Sequence, residues 1–308
     1  MNLLYVSPSP HTSSTMTTSR IMACVLVALM PTAIAGCLNF GLRAALVLFV
    51  STASAVVYEG LCRVLMKREQ TILDGSAAVT GLLLGLNLPA TIPLWQVMIG
   101  SFTAIVLVKQ LFGGLGQNFA NPAIVGRIVM LISFSSAMTT WQAPHSDAVV
   151  SATPLVSGNA SYWDLFLGNT AGCIGETCAA AILLGGLYLC LRGIVQPVIP
   201  AAFLGTAALC SLAAGDDPLY QLLAGGMLLG AVFMATDYVT TPVTTGGKVI
   251  FGIGCGLLTF VIRQYGGYPE GVSFAILLMN LVTPLIDRLT VVRPFGAVRQ
   301  KQEAKDHA

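Results

Sequence analysis

Apolar stretches long enough to cross a lipid bilayer recur along the whole chain, and they restrict the possible folds more than any other feature. A bilayer span needs about 20 mainly apolar residues in one helix. Of the 308 residues, 55% are hydrophobic and only 9% are charged, whereas soluble domains carry about 25% charged residues. The sequence therefore predicts an all-α integral membrane protein in contact with membrane lipid. Its formal net charge of +2 gives no basic face for nucleic acid.

Hydropathy places ten candidate spans. The third is short and ends at Pro89, which is typical of a broken or tilted helix. The spans are predicted at residues 21–38, 43–62, 75–88, 94–112, 122–140, 171–190, 194–213, 219–236, 248–262 and 271–287. They divide the chain into an N-terminal membrane half (1–140), a loop (141–170), a C-terminal membrane half (171–290) and a charged tail (291–308).

Two short similarities indicate that the second half repeats the first. The segment "LLGLNLPAT" (83–91) resembles "LLGAVFMAT" (228–236), and "KQLFGGLGQNFANPAI" (109–124) resembles "RQYGGYPEGVSFAI" (263–276). Five predicted spans separate the equivalent segments, and an odd number inverts the second copy in the membrane. We therefore predict two inverted five-helix repeats, a plan that places binding sites at the repeat interface. The alternative is chance similarity among Gly- and Leu-rich segments.

Basic residues predict the orientation in the membrane, because cytoplasmic loops are enriched in Lys and Arg. With the N-terminus inside, all 15 Lys and Arg residues except Arg43 and Arg263 fall at or near the cytoplasmic side. Both termini are then cytoplasmic, and loop 141–170 is extracytoplasmic.

Ionisable residues within the predicted spans are functional candidates, because burying a charge in a membrane is costly. Glu59 and Glu176 could relay a proton or bind sodium along an ion path. Glu59 could equally pair with Arg63, four residues later on the same helix face. The eight cysteines have no CxxC spacing, so we interpret them as buried thiols and predict no metal site.

Two polar segments could form a binding pocket. In "GGLGQNFANPA", Asn118 and Asn121 offer amide donors and acceptors for a flat ligand with polar edges, or they could simply cap the fifth span. Asp237 follows the eighth span; it could hydrogen-bond a ligand, attract a cation, or cap the loop before Pro242. Motifs of soluble enzymes, such as GxxxxGK[ST], HExxH and GxSxG, are not found in the sequence.

A small, polar segment, "DAVVSATPLVSG" (147–158), lies in the predicted extracytoplasmic loop. On its own it is typical of an ordinary Ser/Thr-rich loop. Together with four other segments in the same order, it resembles the D subunits of Rnf ion-translocating ferredoxin:NAD oxidoreductase complexes. The B subunits of sodium-pumping NADH:quinone oxidoreductases are relatives of that family. The other segments are "YVSPSPHTSSTMTTSRIM", "LDGSAAVTGLLLGLNLP", "KQLFGGLGQNFANPAIVGR" and "FMATDYVTTPVT".

The resemblance implies a covalently bound FMN. In that family a threonine ending a D-x-x-[ST]-[GA]-A-T-like segment carries FMN through a phosphoester, attached by a flavin transferase. The matching residue is Thr153. Asp147 begins the segment, and Ser151 lies two residues before the threonine. Val150 and Ser151 stand where the family usually has Ser and Gly. An accessible hydroxyl is expected here. The resemblance also implies a non-covalent flavin, riboflavin or a second FMN, near Asn118 and Asn121.

The resemblance further implies a flavoprotein subunit of the bacterial inner membrane that couples electron transfer to Na⁺ or H⁺ translocation. Its implied partners are a second flavinylated subunit, paired small membrane subunits, and iron–sulfur and NADH-binding subunits. Two other functions stay open from the residues alone, because fold does not fix function. They are an inverted-repeat channel or solute carrier without flavin, and a purely structural subunit of a membrane complex.

Overall fold

The computed structural model describes residues 16–146, 148–150, 152–158, 160–266 and 271–291. Helices dominate, and the only strands among these residues form one short antiparallel ribbon. The helices are α1 (Thr18–Leu65), α2 (Ser76–Leu86), α3 (Leu94–Phe102), α4 (Pro122–Ser133), α5 (Ser135–Met138), α6 (Pro154–Ser157), α7 (Tyr162–Leu167), α8 (Ala179–Leu191), α9 (Val198–Ala214), α10 (Pro218–Leu223), α11 (Met227–Leu229), α12 (Thr245–Tyr265) and α13 (Val272–Leu289), with a 3₁₀ turn at Ile72–Asp74 and strands β1 (Trp141–Gln142) and β2 (Val149–Val150).

Length and composition support the predicted membrane location. Within the described residues, three helices are long and apolar enough to cross a bilayer, namely α1, α12 and α13. Five shorter apolar helices accompany them: Ser76–Leu86, Leu94–Gln110, Pro122–Ser133, Ala179–Leu191 and Val198–Ala214. The all-α membrane class is confirmed, while the number of spans stays a prediction.

Helix α1 contains the first two predicted spans and folds back on itself at Gly41. The backbone of Gly41 has φ +71° and ψ −157°, which is not helical. Both parts of α1 reach the short helix α2: Cβ atoms built at Gly75 and Gly85 would lie 3.5 Å from Met22 and 3.0 Å from Leu48. A straight helix would separate Met22 and Leu48 by about 39 Å, whereas α2 is only about 16 Å long. The two parts of α1 must therefore lie side by side.

Glycines allow the helices around α1 to pack closely. A Cβ atom at Gly185 in α8 would collide with the carbonyl oxygen of Ala28. A Cβ atom at Gly81 in α2 would lie 2.7 Å from the carbonyl oxygen of Ser51. No side chain fits in either place, so these glycines permit the backbone contacts on which membrane helix packing depends.

The sixth predicted span is helical only in its second half, so a continuous helix over 171–190 is wrong. Residues 171–178 are irregular and almost entirely buried, and α8 begins at Ala179. The irregular segment caps the end of α2: the N–H groups of Ile174 and Gly175 donate to the carbonyl oxygens of Leu88 (3.1 Å) and Leu86 (2.8 Å). Irregular backbone at membrane depth is tolerable where other parts of the protein satisfy it, as here.

The fifth and eighth predicted spans are also interrupted. In place of 122–140, α4 ends at Ser133 and a separate turn, α5, follows Phe134. In place of 219–236, α10 ends at Leu223, and α11 begins at Met227 and continues as a π-helix over Gly230–Met234. Helix α3 likewise continues as a π-helix over Thr103–Gln110. Hydropathy detects apolar composition but not these breaks, because buried irregular segments are equally apolar.

The loop between the halves is ordered by a small ribbon and two short helices. Trp141 pairs with Val150 and Gln142 with Val149. The loop is tied to α10 by Tyr220, whose hydroxyl donates to the carbonyl oxygen of Pro154 (2.8 Å). Tyr162 also bonds the Asp217 carboxylate at the start of α10.

Candidate functional site

Three residues singled out in the sequence converge on one cavity, called here the Asn118 cavity. Its interior volume is about 90 Å³. Ligand pockets commonly span about 300–1,000 Å³, so a bulky ligand would need side chains to move. Apolar residues such as Leu83, Leu189 and Phe233 form much of its wall. Its polar lining is Ser76, Thr80, Lys109, Asn118, Asn121, Thr236, Asp237 and Tyr238.

The two asparagines have different roles. Asn121 is the N-cap of α4, and its Oδ1 accepts from the N–H groups of Ala123 (3.0 Å) and Ile124 (3.5 Å). Its Nδ2 donates to the carbonyl oxygen of Met234 (3.2 Å), which ties α4 to the second π-helix. The capping interpretation is therefore confirmed for Asn121. Asn118 is buried, yet its Oδ1 has no hydrogen-bond partner among the described residues.

An unpartnered amide oxygen in a buried position is costly. Asn118 therefore carries the spare hydrogen-bonding capacity of the cavity, and a ligand with a donor group could use it.

Asp237 lies in the loop after the second π-helix, at the edge of the cavity. The residue as a whole is partly exposed, but protein surrounds its carboxyl group. This burial raises the pKa of the Asp237 carboxyl, while hydrogen bonds from the backbone of Val239 and the hydroxyl of Thr240 (3.3 Å) partly offset the increase. The folded protein thus favours the neutral acid more than an exposed aspartate would.

Asp237→Asn is expected to stabilise the protein more at neutral than at acidic pH. A carboxyl with a raised pKa binds its proton more tightly in the folded state, so its contribution to stability is lost as pH rises through the raised pKa. Asparagine cannot ionise and avoids this loss. The apparent Tm of the purified complex, measured against pH, should exceed that of wild type by a margin that grows with pH. A constant margin would contradict the prediction.

A buried ion pair adjoins the cavity at the π-helix of α3. Lys109 Nζ lies 3.1 Å from Glu59 Oε1, and the two side chains are 2% and 0% exposed. Glu59 Oε1 also accepts from Gln110 Nε2 (2.8 Å) and from the hydroxyl of Thr71 (3.2 Å). The alternative pairing of Glu59 with Arg63 is wrong: in the part of the chain that the structure describes, the ion-pair partner of Glu59 is Lys109.

Glu176, the second candidate for an ion path, lies in a separate buried cluster. Its Oε1 accepts from the N–H of Cys173 (2.8 Å), and its Oε2 lies 4.0 Å from Arg127 Nη2. Arg127 Nη1 in turn donates to Asn87 Oδ1 (3.2 Å) and to the hydroxyl of Ser273 (3.0 Å). This cluster joins α4, α13, the residue that follows α2 and the irregular segment before α8.

The predicted flavin attachment site is only partly described. Asp147 and Ser151 lie outside the described residues. Thr153 directly precedes the short helix α6 as its N-cap residue and is 6% exposed, so the accessible hydroxyl expected from the sequence is not found in this conformation. The bond from Tyr220 to Pro154 ties the start of α6 to α10 at this point. The Thr153 hydroxyl has no hydrogen-bond partner among the described residues and is not committed to a structural role.

Lys109 was not among the site residues predicted from the sequence, where it contributed to the predicted orientation and to the repeated segment 109–124. A lysine in an apolar stretch, 33 residues after Ser76 and 50 after Glu59, carries no local signal of its partners. The one available indication was its position beside the Gly-rich segment that leads to Asn118.

Comparison with known proteins agrees with the resemblance of the five segments. The model of the NQR2, RnfD, RnfE family matches residues 5–296. The D subunit of the Na(+)-translocating ferredoxin:NAD(+) oxidoreductase complex of Acetobacterium woodii is 48% identical, with 98% of each chain covered. The proton-translocating counterpart of Clostridium ljungdahlii is 44% identical, with 97% of this chain and 98% of the relative covered.

The D subunit of an ion-translocating oxidoreductase complex of Escherichia coli is 36% identical, covering 94% of this chain and 98% of the relative. The match extends through both membrane halves and the loop between them. The chain belongs to the NQR2, RnfD, RnfE family.

Proposed function

We propose that the chain is the flavin-carrying membrane subunit of an ion-translocating ferredoxin:NAD oxidoreductase complex in a bacterial inner membrane. It would pass electrons between flavins, with their flow coupled to Na⁺ or H⁺ movement. Three relatives that are named as D subunits of ion-translocating oxidoreductase complexes match nearly the whole chain. The observation that carries the proposal is the convergence of Asn118, Asn121 and Asp237 on one cavity, where the Asn118 Oδ1 is unpartnered.

We also propose ten membrane spans in two inverted repeats, with both termini cytoplasmic. The order of elements supports this plan. Each half contains a short helix before two further helices: α2 precedes α3 and α4, and α11 precedes α12 and α13. Paired short helices of this kind are typical of inverted-repeat membrane proteins with a site near the repeat interface. In this orientation the loop with Thr153 faces outward and the Asn118 cavity faces the cytoplasm.

Thr153 is proposed to carry FMN through a phosphoester to its hydroxyl. The unpartnered Oγ1 supports this role, because esterification would break no hydrogen bond. The exposed neighbour Ala152 leaves room on one side. Since Thr153 itself is buried, the segment from Ala152 to α6 must open before a flavin transferase can reach it. The bound FMN supplies reversible electron transfer, and the chain sets its position and surroundings.

The Asn118 cavity is proposed to hold a second, non-covalent flavin, riboflavin or FMN. The polar edge of a flavin ring alternates hydrogen-bond acceptors with an N–H donor, which suits the unpartnered amide oxygen of Asn118. The apolar wall suits the rest of the ring. Asn121 would act mainly by holding the wall together, because both ends of its amide are already bonded.

An ion path through Glu59 and Glu176 is proposed on the condition that their ion pairs open. Each carboxylate is next to a cation, Lys109 or Arg127. A proton or sodium ion could replace that partner only if the pair opened. Because buried pairs are costly to break, ion passage would have to be coupled to a conformational change driven by electron transfer.

The proposed partners are those of such a complex: a second flavinylated subunit, paired small membrane subunits, and iron–sulfur and NADH-binding subunits. The names of the relatives indicate a complex with several subunits. Within the described residues there is no group of three or more His, Cys, Asp or Glu side chains placed to hold a metal. Iron–sulfur centres are therefore assigned to the partners.

Asn118→Ala is expected to lower the non-covalent flavin content of the purified complex by up to one equivalent. The variant removes the unpartnered acceptor, and the lost hydrogen bond should weaken binding by about 1–2 kcal/mol, roughly 5- to 30-fold. Flavin released on acid denaturation is separated and quantified per complex.

Asn169→Ala is the matched control, because it removes the same side chain outside the cavity lining; it should retain wild-type flavin content. A wild-type complex in which the partners account for every flavin would contradict the proposal and favour a channel, carrier or structural subunit.

A further inference from the structure

Lys109 combines burial, a fixed position and access to the Asn118 cavity. Its side chain is 2% exposed, and it lines the cavity together with Ser76. Its Nζ donates to the hydroxyl of Ser76 (2.6 Å) and to Glu59 Oε2 (3.1 Å). A buried ammonium needs such partners, because an isolated charge in a low-dielectric interior is very costly.

Glu59 lies behind Lys109 and is itself held in place. Gln110 and Thr71 both donate to Glu59 Oε1, so the carboxylate has a fixed position. Glu59 does not line the cavity, whereas Lys109 and Ser76 do. The ion pair therefore directs its positive end toward the cavity and its negative end away from it.

We propose that the Lys109 ammonium, positioned by Glu59, stabilises the negative charge of the reduced flavin in the Asn118 cavity and so makes that flavin easier to reduce. This inference rests on the proposed second flavin. Two electrons and one proton convert the neutral oxidised ring into a monoanion. The electrons come from ferredoxin by way of the redox centres of the partner subunits. The proton comes from solvent at the open mouth of the cavity. Lys109 keeps its proton throughout and acts only through its charge.

Asp237 also faces the cavity, and a carboxylate there would oppose Lys109. Two features make the lysine dominate. Its ammonium lines the cavity, whereas the carboxylate of its partner Glu59 lies behind it, so a reduced ring is nearer to the positive end of the ion pair, and Coulomb interactions weaken with distance. The surroundings of Asp237 favour its neutral form. The charge that a reduced ring would meet is therefore mainly positive.

The test compares the purified wild-type complex with two variants, Lys109→Gln and the double variant Glu59→Gln/Lys109→Gln. The double variant leaves no buried charge unpaired, so it remains informative if the single variant does not assemble. In the double variant, the equilibrium constant for two-electron reduction of the non-covalent flavin should fall about tenfold, which corresponds to a potential lower by about 30 mV. In Lys109→Gln the fall should be larger, because the Glu59 carboxylate loses its cation. Spectroelectrochemical titration measures this potential, and the difference from the Asn118→Ala complex assigns the signal to this flavin.

Lys67→Gln is the matched control. It removes the same charge from an exposed position that does not line the cavity, and the potential should stay at the wild-type value.

If the flavin is bound in the double variant at full stoichiometry with an unchanged potential, the role of Lys109 is overturned while the second flavin stands. If the wild-type complex holds no such flavin, both ideas fail together. A role of Lys109 in folding alone would lower flavin content without moving the potential of the flavin that remains, and this result would also overturn the proposal.

Discussion

Thr153→Ala is expected to abolish covalent flavin on this chain completely. The phosphoester needs a hydroxyl, and alanine has none. The effect should be all-or-none, because the unmodified chain keeps its fold: Thr153 Oγ1 makes no hydrogen bond among the described residues, and its carbonyl oxygen, which accepts from Val156 and Ser157 (2.9 and 3.0 Å), is retained in alanine. The measurement is the intact mass of the denatured chain, with in-gel flavin fluorescence, from cells that express the transferase.

Ser157→Ala is the control for this experiment. Ser157 is the last residue of α6, which Thr153 precedes, and its hydroxyl donates to the Thr153 carbonyl oxygen (3.2 Å). This variant therefore removes a neighbouring hydroxyl and leaves the proposed acceptor. It should remain flavinylated. An unmodified wild-type chain, isolated alongside a partner that the transferase has modified, would overturn the attachment site and leave the channel or structural interpretation.

Because Thr153 is buried, we also expect the rate of flavinylation to depend on how readily the start of α6 opens. Tyr220→Phe removes the hydrogen bond to Pro154 but keeps the ring, so the start of α6 should open more readily. If opening limits access for the transferase, flavinylation should proceed several-fold faster in this variant, as seen in a time course with the purified transferase and its flavin donor. An unchanged rate would mean that another contact, or the catalytic step itself, is limiting.

Composition and hydropathy were sufficient to predict the membrane class and the approximate positions of the helices. They could not predict the interruptions, because an apolar irregular segment such as 171–178 gives the same hydropathy as a helix. Its backbone is satisfied by Leu86 and Leu88, far earlier in the chain, and no local pattern indicates that. The break at Gly41 was predictable, because the first two predicted spans end at residue 38 and begin again at residue 43, and the non-helical backbone of Gly41 lies between them.

The site was predictable where a residue acts locally and unpredictable where it acts across the fold. Asn121 before Pro122 is a local N-cap pattern, and the structure confirms it. Helix spacing suggested Arg63 as a partner of Glu59, whereas the real partner, Lys109, lies 50 residues away. Long-range pairs of this kind depend on how α1 and α3 pack, and a single sequence does not contain that information in readable form.

The cluster around Arg127 explains how the halves of the molecule are joined. Its guanidinium donates to Asn87, just after α2, and to Ser273 in α13, and it approaches Glu176 in the irregular segment. These elements belong to both proposed repeats. Helices in a membrane gain little from the hydrophobic effect when they associate, so interhelical polar contacts and close packing hold them together. The cluster is therefore expected to contribute more to stability than any single apolar contact in the protein.

Arg127→Met is accordingly expected to destabilise the protein by about 3–5 kcal/mol, because it leaves the Glu176 carboxylate buried next to no cation. Asn87 and Ser273 would also lose a donor. The apparent Tm of the purified complex should fall by on the order of 10 °C. Arg288→Met is the control: it removes an exposed arginine near the end of α13, and surface changes of this kind usually alter stability by about 0.5 kcal/mol or less.

The double variant Arg127→Met/Glu176→Gln separates the ion pair from the rest of the cluster. Glutamine keeps an oxygen for the Cys173 N–H and removes the uncompensated charge. If the Arg127–Glu176 attraction matters across its 4.0 Å separation, the double variant will be more stable than Arg127→Met alone, and the two effects will not add. Additive losses would mean that Arg127 stabilises the fold through its other partners, which include Asn87, Ser273 and the Cys173 thiol. Glu176 would then be free of its structural partner and a stronger candidate for carrying the translocated ion.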